Sequence, residues 1–424
     1  MICLLVILLV FFTSCFPKGG SEPPVSNDDH AETIAISNHD DRFADTNLDL
    51  LDAGDFLVWN PHSYGRYYHY YDKTTDESGI LCSKPECVHN STGINRECGA
   101  FVDCTIPSIS CYNGKLYFVD SYKEEGKASK LALLRMNTDS TNREFVKYID
   151  IPENCTPVCF GIHRGRMYLY AREQTTINAV PTIAVNIFTS DLNGGGFENI
   201  YRREYGSYSP FVFLRYQGEY MYFFCGLRQN ADSGLTCEIN RYSPASGTVD
   251  TKLADLNIGD HSPQDFWVCD DGSFLFSVNS DNDIDEPAFI YKVIDGKAEP
   301  FMEARDTGSD CEVYRIIYLG DNAVFSMKLV YGENYSGTWH LWVRSFDGDT
   351  IAKGVLPFDF RDGLDNNNSV LFIGNGGGDE TCFIGEYVNI SYDTEKGEQI
   401  YYLVRYTFND GMLCEKLLAY EITR

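Results

Sequence analysis

Residues 185–200 read VNIFTSDLNGGGFENI and contain the repeated unit from which we predict the fold. An apolar strand leads into a short polar turn around Asp191, and a second strand returns. The same unit recurs around Ser243, Asp295 and Asp347, so that successive turns lie 52 residues apart. A constant step of this length indicates a repeat architecture, and strands joined by polar turns make the repeat all-β.

Three further copies of the hairpin extend the series in both directions. They lie around Asp72, Asn137 and Asn409, which brings the total to seven copies. The remaining steps between turns are 65, 54 and 62 residues. The two longest steps must therefore contain insertions, which are candidates for function.

A second pair of short strands precedes each hairpin. The later strand of each pair reads FLVWN from Phe56, KLYFVD from Lys115, RMYLYA from Arg166, YMYFFC from Tyr220, SFLFSV from Ser273, AVFSMK from Ala323 and SVLFIG from Ser369. Four strands per repeat is the count of a propeller blade, and closing the ring protects the edges that a β-sandwich would leave open. We therefore predict an all-β fold, a seven-bladed β-propeller of four-stranded blades. Six or eight blades are the alternatives, because ETIAIS at residues 32–37 could complete the last blade or belong to a tether.

The first part of the chain predicts export and a lipid anchor. Ile2 to Phe12 form an apolar run that is too short to span a bilayer and suits a signal-peptide core. The following Thr13-Ser14-Cys15 resembles the lipobox of bacterial lipoproteins, although Phe12 stands where Leu is usual and no Lys or Arg precedes the run. We predict a signal peptide at 1–14, lipidation of Cys15, a flexible tether at 15–44 and the propeller at 45–424. The protein would then sit on the outer face of the cell membrane, held by the lipid alone.

Four residues with metal-ligand chemistry gather in the first long step. This Cys-rich insertion, at about 80–111, carries Cys82, Cys87, His89 and Cys98. Three thiols and an imidazole could close a tetrahedral zinc site, but the spacing matches no standard zinc knuckle. Disulfide pairing is the alternative in an exported chain, and unlinked cysteines are a third interpretation. Either a metal or a disulfide would staple the insertion against the first blade.

The same insertion carries a resemblance to a known group. The segments LCSKPECVH, residues 81–89, and CGAF, residues 98–101, resemble an LCxKPECxH…CxAF pattern of uncharacterised β-propeller lipoproteins from Gram-positive anaerobes. The chain also resembles, more loosely, the propeller domains of low-density-lipoprotein receptors. The resemblance implies the propeller fold and brings no established activity with it.

Composition and motifs favour binding over catalysis. The net charge of −28 would repel a phosphate backbone, so no nucleic-acid partner is expected. Neither a G-x-S-x-G elbow nor an H-E-x-x-H motif occurs, no catalytic residue is assigned, and zinc is the one cofactor that the sequence offers. We predict a monomeric, non-catalytic propeller that binds an extracellular protein, peptide or glycan. The alternative is a carbohydrate-active or other hydrolytic enzyme that uses acidic residues on the channel face.

A tyrosine cluster offers one sugar-binding candidate. Its members, all close to the first hairpin, are Tyr64, Tyr67, Tyr68, Tyr70 and Tyr71. Aromatic rings can stack on the apolar face of a sugar. Alternation in a half-buried strand of the first blade explains the same residues more simply.

Overall fold

The computed structural model describes residues 50–423, apart from 61–66, 90–94, 96, 104–105, 107, 124–125, 127, 178–179, 206–209, 228–235, 258–260, 281–288, 304–311, 321–322, 332–336, 359–368, 379 and 391–398. Residues 1–49 contain the predicted signal peptide, Cys15 and the tether, and they lie outside the described residues. Within the described ranges every regular element is a β-strand, and no helix long and apolar enough to cross a membrane is found there.

Twenty-eight strands form seven sheets of four antiparallel strands, which confirms the predicted β-propeller. The first three blades contain β1 (Leu50–Asp52), β2 (Phe56–Trp59), β3 (His69–Asp72) and β4 (Ser78–Ile80); β5 (Ile109–Tyr112), β6 (Lys115–Tyr122), β7 (Lys130–Asn137) and β8 (Glu144–Tyr148); and β9 (Cys155–His163), β10 (Arg166–Ile177), β11 (Val180–Asp191) and β12 (Glu198–Tyr205). The fourth and fifth contain β13 (Phe211–Gln217), β14 (Tyr220–Leu227), β15 (Thr236–Ser243) and β16 (Thr248–Asn257); and β17 (His261–Val268), β18 (Phe274–Ser280), β19 (Phe289–Ile294) and β20 (Lys297–Glu303). The last two contain β21 (Glu312–Gly320), β22 (Ala323–Tyr331), β23 (Gly337–Ser345) and β24 (Thr350–Val355); and β25 (Ser369–Gly378), β26 (Cys382–Ile390), β27 (Gln399–Asn409) and β28 (Met412–Thr423).

All seven predicted hairpins join the third and fourth strands of a blade. The turn of blade 5 shows why its sequence suits this position. Asp295 and Gly296 have φ angles of 51° and 75°, as the two central residues of a type I′ turn require. Asp and Gly tolerate this left-handed region, whereas a β-branched residue would be strained there. A two-residue loop thus fixes the register of β19 against β20.

The middle strands of each blade are buried on both faces, because each blade packs between two others. In β6, for example, the five residues from Leu116 to Asp120 are all buried. This is why the second strands read as continuous apolar runs rather than as strict alternation. Equivalent second-strand positions hold large buried side chains in five successive blades: Tyr117, Tyr168, Tyr222, Leu275 and Phe325.

The ring closes where blade 7 meets blade 1. Strand β25 contacts β1, and β28 contacts β4. The apolar cluster at this seam draws on both blades: Leu50, Leu57, Trp59, Tyr71, Ile384, Val388, Tyr401, Leu403, Leu418 and Ala419. On the outside, the Lys416 ammonium donates to Asp76 over 2.6 Å. Since blade 7 takes all four strands from 369–423, ETIAIS is not needed to complete it.

Blade 7 corrects one part of the strand alignment. SVLFIG at Ser369 opens β25, the first strand of the blade, and the second strand is β26. The glycine run at 374–378, which resembles a loop by composition, continues β25 through two register shifts. A Cβ on Gly378 would lie 2.7 Å from the ring of Phe325, so glycine here permits close approach to blade 6. Glycine within a strand often marks a site where another part of the chain approaches closely, and the sequence pattern alone did not reveal this approach.

Three of the four described tyrosines of the cluster belong to the core. Tyr67, Tyr68 and Tyr71 are at most 4% exposed, which agrees with the half-buried strand rather than with an open sugar platform. Tyr64 lies outside the described residues.

Candidate metal centre and adjoining cleft

The Cys-rich insertion connects β4 to β5, and its described residues between 81 and 108 belong to no strand. Its two ends are fixed to blade 1. The amide of Tyr68 donates to the Ala100 carbonyl over 2.9 Å, and the amide of Leu81 donates to the Tyr68 carbonyl over 2.8 Å. An antiparallel bridge also pairs Tyr67 with Phe101.

The insertion also packs on blade 2, which extends the predicted attachment to the first blade. The Arg143 guanidinium donates to the Phe101 carbonyl over 2.5 Å and pairs with Asp120 at 2.5 Å. The amide of Ser83 donates to the Ser140 hydroxyl over 3.1 Å. A Cβ on Gly99 would lie 2.4 Å from the Ser140 carbonyl oxygen, so a larger residue would push the insertion away from blade 2. The insertion is therefore held between two blades.

The structure brings Cys82, Cys87, His89 and Cys98 together. One ligand atom from each lies within 4.8 Å of the other three. Cys98 is fully buried, and the other three are partly exposed. Two tight turns present the thiols: the Cys87 amide donates to the Lys84 carbonyl over 3.1 Å, and the Cys98 amide donates to the Asn95 carbonyl over 3.0 Å.

Neighbouring side chains orient this cluster. The side-chain Nδ2 of Asn95 donates to the Cys87 sulfur over 3.2 Å. The His89 ring packs edge-on against Tyr67, with 5.3 Å between ring centroids. Its Nε2 is buried and has no hydrogen-bond partner among the described residues.

Burial governs the proton affinity of two members of the cluster. It raises the pKa of the Cys98 thiol to about 12, and the neighbouring Cys82 thiol adds to the effect. The Cys98 thiol is thus protonated at neutral pH unless a cation is present. Burial also lowers the pKa of His89, with a smaller contribution from His69, and this favours the neutral imidazole, which is the form that binds metals.

None of the described cysteines forms a disulfide. The disulfide alternative would bring two sulfurs to about 2.05 Å and leave the imidazole aside. The observed convergence of all four groups fits a metal better than that alternative.

A cleft of about 920 Å³ lies beside the cluster. One wall comes from the insertion, with Ser83, Lys84, Glu97 and Gly99. The other comes from blade 2, with Asp120, Ser121, Tyr122, Lys123, Ser129, Leu134, Ser140, Thr141, Asn142, Arg143, Glu144 and Phe145. Its volume suits a ligand of several rings.

Aromatic rings continue the blade 2 wall outwards. Tyr122 and Phe145 lie 4.8 Å apart between ring centroids, and Phe145 and Tyr148 are also 4.8 Å apart. Phe145 is 38% exposed although it lies on a strand. Sequence reasoning missed this patch because Phe145 reads as an ordinary residue of the second hairpin. Its place on the last strand of a blade, where one side faces outward, was the available signal.

No protein-family model matches this chain, and no curated protein matches it in sequence. Solved structures are similar in fold. An ulvan lyase, a polysaccharide lyase bound to -[GlcA(1-4)Rha3S]-, has a TM-score of 0.50 and 8% identity, over 88% of this chain and 93% of that chain. An oligogalacturonate lyase from Vibrio parahaemolyticus has a TM-score of 0.43 and 9% identity, over 87% of this chain and 85% of that chain.

An acylaminoacyl peptidase from Pyrococcus horikoshii has a TM-score of 0.44 and 11% identity. The match covers 89% of this chain and 53% of the peptidase, so this chain spans about half of that protein. At such identities a likeness bears on the fold alone, because one fold hosts many unrelated activities.

Proposed function

We propose that this protein is an exported, monomeric propeller that binds an extracellular glycan in the cleft between the insertion and blade 2, without converting it. The observation that carries the proposal is the combination of the exposed Phe145 ring, the half-buried Tyr122 ring and polar groups in one cleft. Aromatic faces stack on the apolar face of a sugar ring, while hydroxyl, amide and charged groups bind its hydroxyls.

The aromatic part of the cleft suits contact with a sugar. Phe145 and Tyr122 both line it and pack on each other, so their positions are fixed before binding. A rigid ring loses little conformational entropy when a ligand stacks on it. The contact of the Phe145 ring with water costs free energy, and a sugar stacked on the ring would remove part of that contact.

The polar part offers both donors and acceptors. Ser83, Glu97 and Asn142 line the cleft and are exposed. Lys84 spans the insertion and donates to the Glu97 carbonyl over 2.7 Å. Neutral sugar hydroxyls, which donate and accept, fit this mixture better than a ligand of a single charge.

The acidic groups of blade 2 favour binding over hydrolysis. Asp120 pairs with Arg143 at 2.5 Å, and Glu144 pairs with Arg135 at 2.8 Å. Hydrolysis of a glycosidic bond needs one carboxyl group to donate a proton and a second to attack or activate water. Carboxylates that pair with arginine are poorly suited to either role, and Glu97, the third carboxylate that lines the cleft, cannot fill both roles alone.

Glycan arrays probed with the purified propeller test this function. We expect binding to one class of glycan, and Phe145→Ala should lower the affinity about 10-fold because one stacking face is lost. Phe301→Ala is the matched control, since Phe301 is also 38% exposed and also lies on the fourth strand of a blade. Release of shorter products from a bound glycan, or equal affinity in the two variants, would contradict the proposal.

We also propose that Cys15 carries the lipid that holds the propeller at the membrane. The support is the apolar run and the Thr-Ser-Cys sequence that follows it. Each buried methylene of an acyl chain contributes about 0.8 kcal/mol to membrane binding. Cys15→Ser should therefore move the protein from the membrane fraction to the medium, whereas Cys414→Ser, at an exposed cysteine of blade 7, should not. Immunoblots of both fractions measure this, and a membrane-bound Cys15→Ser protein would refute the anchor.

A further inference from the structure

The four ligand groups of the insertion lie at distances that suit one tetrahedral ion. Their ligand atoms are all within 4.8 Å of one another. In a zinc site with sulfur at about 2.3 Å and nitrogen at about 2.0 Å, the ligand atoms are about 3.5–3.8 Å apart. A contraction of about 1 Å would close the group around an ion of this size. We propose that Cys82, Cys87, His89 and Cys98 bind a structural zinc ion.

Simple packing of buried thiols does not explain why the His89 imidazole lies in the same cluster. A buried nitrogen without a partner costs free energy, whereas a sulfur in the core does not. Nε2 of His89 is such a nitrogen among the described residues, and it belongs to the same cluster as the three thiols. A bound cation would give this nitrogen a partner.

The surroundings of the cluster suit a charged thiolate. The side-chain Nδ2 of Asn95 donates to the Cys87 sulfur over 3.2 Å and to the Val88 carbonyl over 3.3 Å. A donor aimed at a ligand sulfur stabilises its negative charge and fixes its position, as outer partners do in metal sites. Asn95 lies three residues before Cys98, so the same turn supplies both a ligand and its support.

The ligand types select the metal and its role. Thiolates favour zinc over calcium and magnesium, which take oxygen ligands. Four protein ligands leave no coordination position for water or substrate, which is typical of a structural rather than a catalytic site.

The zinc ion would order the wall of the cleft. The described part of the insertion has no strand of its own and is too short to build a separate core. Binding free energy from the metal becomes folding free energy for such a segment. Ser83, Lys84, Glu97 and Gly99, which form one wall, are each within two residues of a ligand.

Metal titration of protein purified without oxygen tests the site, independently of any glycan. The folded chain should bind one zinc ion, and X-ray absorption should show three sulfurs at about 2.3 Å and one nitrogen at about 2.0 Å. Cys87→Ser should weaken zinc binding at least 100-fold, since even changes to outer partners cost 10–100-fold. Cys414→Ser, which removes a cysteine outside the cluster, should bind like the wild type.

A second pair of variants distinguishes ligation from packing and remains informative if Cys87→Ser does not fold. His89→Ala should lose zinc affinity, whereas His89→Cys should keep it, because four cysteines also form a zinc site. Circular dichroism checks that each variant is folded. The site is refuted if the folded wild type binds no stoichiometric zinc, if Cys87→Ser binds zinc as tightly as the wild type, or if two of the three cysteines resist alkylation until reduced.

Discussion

Replacing Asp265 with alanine should lower the free energy of unfolding by about 3–5 kcal/mol, because it removes the carboxylate that pairs with a buried arginine. Asp265 in β17 pairs with Arg215 in β13, and both side chains are at most 6% exposed. The same carboxylate accepts the amide of Leu319, in β21, over 2.7 Å. One side chain thus links the first strands of three blades.

Denaturant unfolding of Asp265→Ala and two control proteins measures this effect. Asp250→Ala breaks an exposed pair with Arg241 and should cost less than about 1 kcal/mol. A double variant, Arg215→Met with Asp265→Leu, should be more stable than Asp265→Ala, because it removes both charges rather than one. An Asp265→Ala protein as stable as Asp250→Ala would show that the buried pair does not hold the blades together.

Replacing Trp59 with alanine should cost about 3–5 kcal/mol of unfolding free energy, since it opens a large cavity at the seam that closes the ring. Trp59 ends β2 and is 1% exposed. It packs with residues of blade 7, including Tyr401 and Leu403, and against the ring of His69 at 5.3 Å. Its loss weakens the contact between the two ends of the propeller.

Trp342→Ala is the matched control for this seam. Trp342 is partly exposed on β23, where Arg344 and Lys353 stack on it at 4.1 Å and 4.9 Å. Arg344 is buried and Lys353 is exposed, and losing these two cation–π contacts should cost about 1–2 kcal/mol. Thermal and denaturant unfolding compare the two variants, and equal losses would mean that Trp59 has no special role in closing the ring.

Much of the fold could be predicted because the blades of a propeller repeat one pattern of strands and turns. Turns around Asp191, Ser243, Asp295 and Asp347 keep a constant step, and each is flanked by apolar strands. A blade buries its strands against its neighbours, so the same apolar pattern must recur. The prediction is wrong for the first strand pair of blade 7, because the glycine run that approaches Phe325 resembles a loop in composition.

The candidate site could also be predicted from the sequence only in part. Cys82, Cys87, His89 and Cys98 could be found because they lie within seventeen residues of sequence. The cleft could not, because it depends on contacts between distant parts of the chain, such as Arg143 with the Phe101 carbonyl. The sequence around Arg143 and Phe145 does not show that the insertion after blade 1 will lie beside these two residues.

A crystal structure of the propeller with a glycan selected on the array tests directly whether the cleft between the insertion and blade 2 is the binding site. We expect a sugar ring stacked on Phe145 and Tyr122, with its hydroxyls hydrogen-bonded to the insertion wall at Ser83 or Glu97. A glycan bound in the central channel, or on a blade away from the insertion, would contradict it.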